Sequence, residues 1–220
     1  VIIYRELFPD LITCWRDYFH QPDLPFLYVQ LAAYRSATSD NEVWPAMRAA
    51  QAEVEKSVSG TAMVVAIDGG LEDNIHPPFK QLVGERLAQA ALATAYGRPG
   101  PVGGPRIESA EFKDDRVVLH FSRIGQGLEA KAAELGLGGK YKLDQGVLHG
   151  FSMAVSDGVF IPANARIDGD TVVVHNDKIS EPVSVRYAWE DFPCANLYNA
   201  SGFPAVPFSI DSADNLAVSQ

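Results

Sequence analysis

The chain has 220 residues, of which 47% are hydrophobic, and a formal net charge of -10; it is long enough for one large domain or two small ones with a proper core. The acidic balance, without any Lys/Arg cluster, argues against a nucleic-acid partner, and no apolar run is long enough to span a membrane. Cys14 and Cys194 support neither a disulfide framework nor a zinc site, leaving one long-range disulfide or two unrelated buried thiols, and His20, His76, His120, His149 and His175 show no metal-ligand spacing.

The opening residues, VIIYRELFPDLITCWRDYF, carry neither an initiator Met nor a signal-peptide pattern. Tyr4, Leu7, Leu11 and Trp15 recur at helical spacing and predict an amphipathic helix from the start, with Pro9 in its first turn or at a kink. A domain that begins inside a packed helix is expected to have had material before it. From Leu24 to Ala33 the run LPFLYVQLAA predicts a strand buried on both faces; its one strongly polar residue, Gln30, needs hydrogen-bond partners, near an active site or in the core. A second helix starts near Asp40 or Asn41 as cap, with Pro45 in the first turn, and continues through Met47, Ala50, Val54 and Ser57.

The stretch from Thr61 to Tyr96 reads as a buried strand (Ala62 to Ile67), a loop with Gly69 and Gly70, the segment Asp73-Asn74-Ile75-His76-Pro77, and a long amphipathic helix from Pro78. A carboxylate three residues before a histidine, after a strand, suits acyl transfer. The imidazole takes a proton from a serine hydroxyl and returns it to the leaving alcohol, while the carboxylate holds the ring tautomer. On that reading His76 is the general base and Asp73 its orienter; the competing reading has the Asp capping the following helix. Helix, strand, helix, strand, helix with apolar strands is an α/β pattern with a parallel sheet. Two strands are too few for such a sheet to stand alone, so residues 1–98 are expected to be the C-terminal part of a larger α/β domain.

Arg98-Pro99-Gly100-Pro101-Val102-Gly103-Gly104-Pro105 marks a boundary, with a linker over 99–105. Beyond it, residues 106–220 alternate: IESAEF, RVVLHFS, GLEAKA, HGFSMAVS, VFIPANARI, TVVVHN and PVSVRYAW, with turns at Asp114-Asp115, Asp157-Gly158 and Asp168-Gly169-Asp170. This half is predicted to be an antiparallel β-sandwich. LGLGGK (Leu135 to Lys140) reads as a loop.

YRELFP (4–9), PFLYVQLA (25–32), WPAMRAAQ (44–51), His76-Pro77, ARIDGDTVVV (165–174) and above all VRYAWEDFPCANLYNASGFPAVPF (185–208) resemble, in order, the C-terminal half of sialate O-acetylesterases. That resemblance implies an SGNH-type, flavodoxin-like α/β/α domain followed by β-sandwich material. It also implies hydrolysis of O-acetyl esters of sialic acids by a Ser-His-Asp mechanism, no metal or organic cofactor, and an extracellular or periplasmic location.

His76 matches the family's catalytic histidine, and Asp73 stands where the wider group places the orienter, with Asp68 and Asn74 as neighbouring alternatives. The family's nucleophile and oxyanion segments, Gly-Gln-Ser-Asn and Gly-Glu-Ser-Asn, do not occur. Ser36, Ser39 and Ser59 lie in no nucleophile elbow. The chain alone is therefore expected to be nearly inert, with the missing N-terminal half as a possible separate partner chain.

Tyr187, Trp189, Tyr198 and Phe203 read either as a sugar-stacking surface or as core. Arg186 reads as a carboxylate fork, for a sialic acid or for an interdomain ion pair. Asn199-Ala200-Ser201 has the form of a glycosylation acceptor. Acetyl xylan or another acetylated glycan is a competing substrate, and a non-catalytic carbohydrate-binding β-sandwich is the competing class of function.

Overall fold

The computed structural model describes residues 1–35, 42–135 and 139–214. The chain opens with α1 (Ile2–Tyr18), β1 (Phe26–Val29), α2 (Val43–Ser57), β2 (Thr61–Val64), a 3-10 turn at Ile67–Gly69 and α3 (Lys80–Thr94). β1 and β2 pair in parallel, from Phe26 opposite Thr61 to Val29 opposite Val64, with α2 as the crossover that a parallel pair requires.

The strand expected from Leu24 to Ala33 is shorter than its apolar run. The Gln30 N–H still reaches the Val64 carbonyl at 2.9 Å, but β2 ends there, so the chain beyond turns under α2. Gln51 Oε1 accepts the Leu31 N–H at 2.9 Å, and Trp44 Nε1 donates to the Ala32 carbonyl at 2.8 Å. The caps expected at Asp40 or Asn41 lie outside the described residues. The N-cap of α2 is Glu42, which makes no side-chain capping bond.

α1 forms where periodicity predicts it, with Pro9 inside the helix, but it turns a different face inward. Ile12 is fully buried, and the Phe8 ring meets Tyr28 edge-on at 4.9 Å and Phe26 at 6.1 Å. Leu7 (59%), Leu11 (46%) and Trp15 (50%) remain substantially exposed. α1 carries apolar residues on two faces, and the aromatic side chains of β1 select the Phe8/Ile12 face. That choice depends on tertiary contact, which periodicity does not record.

The second part of the chain is built of short strands: β3 (Arg106–Phe112), β4 (Arg116–Ser122), β5 (Leu128–Ala130), β6 (Ala133–Leu135), β7 (Tyr141–Leu143) and β8 (Phe151–Ala154). Then follow β9 (Ile161–Pro162), β10 (Asn164–Asp168), β11 (Thr171–His175), β12 (Ser184–Tyr187), β13 (Leu197–Asn199) and β14 (Phe208–Asp211). They make two four-stranded antiparallel sheets, in the orders β10-β11-β4-β3 and β14-β12-β8-β9, and two further pairs, β13 with β5 and β6 with β7. The β10–β11 hairpin turns at Gly169-Asp170, where Gly169 has φ +60, a conformation that suits a residue without Cβ.

The Pro/Gly boundary segment packs against the rest of the protein. Gly103, Gly104 and Pro105 are buried, and a Cβ on Gly104 would lie 1.9 Å from the Pro204 carbonyl oxygen. Asn199 Nδ2 donates to the Gly103 and Arg123 carbonyls at 3.1 and 2.8 Å. One hydrophobic core continues across this boundary, from Ile12, Tyr28 and Met63 to Leu119, Val174 and Tyr187. Beside it, the buried Glu55 carboxylate of α2 accepts from Arg106 and, at 2.9 Å, from Arg123. No helix among the described residues is long and apolar enough to cross a membrane.

Candidate active site

Asp73 and His76 lie in the loop that joins β2 to α3, and the sequence anchors this loop at successive points. Asp68, in the 3-10 turn, accepts Arg86 Nη1 at 2.7 Å and Nη2 at 2.6 Å, a bidentate geometry that fits a guanidinium to a carboxylate. The Tyr198 hydroxyl donates to the same carboxylate at 2.8 Å, and Arg86 Nη1 also donates to the Val65 carbonyl at 2.8 Å. Both ion-pair side chains are nearly buried, at 6% exposure for Arg86 and 12% for Asp68. Burial, with the Asp68 charge added to it, pushes the Tyr198 phenol far above its ordinary range.

Two residues on, Gly70 passes directly against Ala33: a Cβ there would lie 2.0 Å from the Ala33 carbonyl oxygen. Leu71 is buried. Glu72 is then held by Arg35 Nε at 2.9 Å, by Lys140 and by the Tyr141 hydroxyl at 2.9 Å. Hydrogen bonds from Lys140, then Tyr141, hold its carboxyl down to about 2. The Arg35 N–H also donates to the Glu72 carbonyl at 3.0 Å.

Asp73, Asn74 and His76 follow this anchor and are exposed. Asn74 Oδ1 accepts the His76 backbone N–H at 2.8 Å, closing an Asx turn. No hydrogen bond joins the Asp73 and His76 side chains among the described residues. The three candidate orienters are thus in different situations: Asp68 is bound to Arg86 and Tyr198, Asn74 to the backbone, and Asp73 is exposed on the same loop as His76. The competing reading of an Asp capping the helix does not hold, because α3 is capped at Phe79 without a side-chain bond.

The wall behind the loop rests on Arg48, a buried cation that sequence reasoning passed over. Its Nε donates to Leu31 O at 3.0 Å, Nη1 to Glu190 O at 2.7 Å, and Nη2 to Ala32 O at 3.0 Å and Asp191 O at 2.8 Å. Burial lowers its pKa to about 9. Gln30 is a core amide, donating to Arg48 O at 2.9 Å. The signal was present in the spacing of Trp44, Arg48 and Gln51, a helical stripe that places polar groups inward.

Of the four aromatic residues, Tyr187, Tyr198 and Phe203 are core, whereas Trp189 is half-buried and lines a cleft. Asn199 is buried, so the acceptor pattern at 199–201 places its Asn inside the fold. Both cysteines are free thiols: Cys14 is exposed rather than buried, and Cys194 is half-buried. Among the described residues no group of three or more His, Cys, Asp or Glu side chains has metal-binding geometry.

The fold is similar to that of a solved carbohydrate acetylesterase. A solved carbohydrate acetylesterase from Xanthomonas citri superposes with a TM-score of 0.84 and 36% identity, over 95% of this chain and 46% of that one. Among curated proteins, the chain is related to the sialate O-acetylesterases across nearly all of its length. It is 28% identical to the Mus musculus protein and 27% identical to the Homo sapiens protein, in each case over 94% of this chain. It spans about 40% of the length of these curated relatives. No family model matches it.

Proposed function

We propose that this chain is the histidine-bearing portion of a carbohydrate O-acetylesterase acting on O-acetylated sialic acids. The observation that carries the proposal is the match to a carbohydrate acetylesterase over 95% of the chain, with the DxxH loop placed after a parallel strand pair. In this reading residues 1–98 complete an SGNH-type α/β/α domain, 99–105 connect, and 106–220 form a β-sandwich; the protein works outside the cytoplasm, extracellularly or in the periplasm.

His76 takes the proton from a serine hydroxyl as that oxygen attacks the acetyl carbonyl, then returns it to the departing sugar hydroxyl. Asp73 supplies the carboxylate that holds the ring tautomer, through a hydrogen bond that tightens in the complex with substrate. The serine and the oxyanion asparagine come from an upstream portion, in the same polypeptide or as a partner chain. Without a nucleophile the loss is on the order of a millionfold in comparable enzymes.

Acetate release from an O-acetylated sialic acid, by this chain alone and fused behind the upstream half of the Xanthomonas citri relative, tests the reading. The chain alone is expected to be inert and the fusion active, with His76→Ala abolishing turnover. Turnover unchanged by His76→Ala sinks the proposal. A fusion active on acetyl xylan but not on the sialic acid ester transfers the substrate to neutral glycans.

A further inference from the structure

Glu72 immediately precedes Asp73, and two distant segments converge on its carboxylate. Arg35, just beyond β1, donates from Nε to Oε1 at 2.9 Å and places Nη2 2.8 Å from the same oxygen, while its backbone N–H holds the Glu72 carbonyl. Tyr141, the first residue of β7, directs its hydroxyl at Oε1 and Oε2, each at 2.9 Å. Lys140 beside it pairs with Oε2 and lies 4.9 Å from the Tyr141 ring centre. The two cations are 58% and 59% exposed, against 17% for Glu72, and exposed ion pairs contribute little. The hydroxyl of the half-buried Tyr141 is therefore the firmest of the three side-chain ties.

From Tyr141 the contacts run on into a closed circuit. Its ring lies 5.7 Å from that of the buried Phe192. The carbonyl of the preceding Asp191 accepts the Tyr34 N–H at 3.0 Å, and Tyr34 leads into Arg35, which returns to Glu72. Arg48 pins the same corner by donating to the Ala32 and Asp191 carbonyls. A single tie leaves a loop free to pivot, whereas a closed circuit opposes the pivot from several sides at once. On the far side of Asp73, the Asn74 bond to the His76 N–H holds the turn. Asp73 and His76, themselves exposed, are thus suspended between a clamp and a turn.

We infer that Tyr141 is a positioning residue for His76: through Glu72, the β-rich half sets where the imidazole stands during acetyl-ester hydrolysis. The inference rests on the acetylesterase reading and adds to it a part that the second half of the chain plays in turnover. Glu72 acts by place rather than by charge, since Arg35 and Lys140 neutralise its carboxylate. Supporting hydrogen bonds of this kind give a loop the precision that catalysis demands. Misplacing a catalytic group by about 1 Å costs on the order of a hundredfold in rate, a shift that release at Glu72 allows.

The test pairs Tyr141→Phe, which keeps the ring on Phe192 and removes only the hydroxyl, with Lys142→Met, a control on the same strand whose ion pair with Glu134 stays within the β6–β7 pair. Backbone ¹⁵N relaxation of the intact chain is read first. Order parameters at 73–76 are expected near the rigid value of about 0.85 in the parent and the control, and below about 0.6 in Tyr141→Phe, with the circular-dichroism spectrum unchanged. In the fused enzyme Tyr141→Phe is expected to lower kcat roughly ten- to a hundredfold at unchanged KM. Glu72→Ala is expected to do at least as much, and the double variant to lose no more than Glu72→Ala alone, because the two residues form one tie. Order parameters unaltered by Tyr141→Phe, a kcat equal to the parent's, or losses that multiply in the double variant overturn the positioning role. A fused parent that releases no acetate counts against the esterase reading instead, and the relaxation result then decides the inference alone.

Discussion

Asp68 and Arg86 face each other through two parallel hydrogen bonds of 2.7 and 2.6 Å, one residue in the turn after β2 and the other in α3. The pair joins the two ends of the segment that carries Asp73 and His76. Because both partners are nearly buried, removing one leaves the other as an uncompensated charge in a low-dielectric setting.

Asp68→Ala is expected to destabilise the fold by about 3–5 kcal/mol, the range for breaking a buried pair. Tyr198→Phe, which deletes one hydrogen bond to a charged group, costs about 1.5–3 kcal/mol. Urea midpoints at constant slope measure both. An Asp68→Ala chain as stable as the parent contradicts the buried pair.

Arg48→Met removes the donor from four backbone carbonyls at once. Stability is expected to fall by at least about 3 kcal/mol, since each stranded buried acceptor costs on the order of 1–3 kcal/mol. Thermal denaturation followed by circular dichroism reports the loss.

Glu72 makes the loop sensitive to acid. Its folded-state pKa lies below the ordinary value of 4.5, at about 2, so the charged form is favoured by folding. The stabilisation is complete above about 4.5 and disappears as pH falls through about 2. An NMR titration is expected to show the Arg35, Glu72 and Tyr141 resonances shifting together in that window, with Glu72→Gln abolishing the coupled shift at every pH. A Glu72 titration at its ordinary value excludes the anchor.

Asp73→Asn in the fused enzyme is expected to lower kcat on the order of 10⁴-fold, as loss of the orienting carboxylate does in serine hydrolases. Asn74→Ala is expected to cost far less, because Asn74 supports the backbone of His76 rather than its ring. Steady-state kinetics on matched variants separates the two; an Asp73→Asn enzyme as fast as the parent moves the orienting role elsewhere.

Regular patterns were legible from sequence, and long-range polar contacts were not. The strand run RVVLHFS is β4 at residues 116–122, because alternation over seven residues has one solution. β6, β7, β13 and β14 were missed: each is three or four residues long, and β5, β8 and β12, equally short, stood out because they lie inside longer apolar runs. The DxxH loop was legible by residue type, while its anchors were not: Asp68 meets Tyr198 across 130 positions, and Arg48 meets Asp191 across 143. Such pairs leave no local periodicity. The Leu7, Leu11 and Trp15 stripe of α1 failed for the same reason, since the Phe8 contact with Tyr28 decided which face turned inward.

The contact between Gly104 and Pro204 bears on how this polypeptide can be divided. A segment rich in proline and glycine invites a protease or a cloning boundary, yet here its backbone is wedged beneath the loop that follows β13. Cutting at 99–105 would expose apolar surface on both fragments, so the pieces would aggregate when expressed separately. Acid, heat or denaturant should instead melt the chain in one step. A gene fusion meant to move the histidine loop into another enzyme must therefore carry the β-rich half along with it.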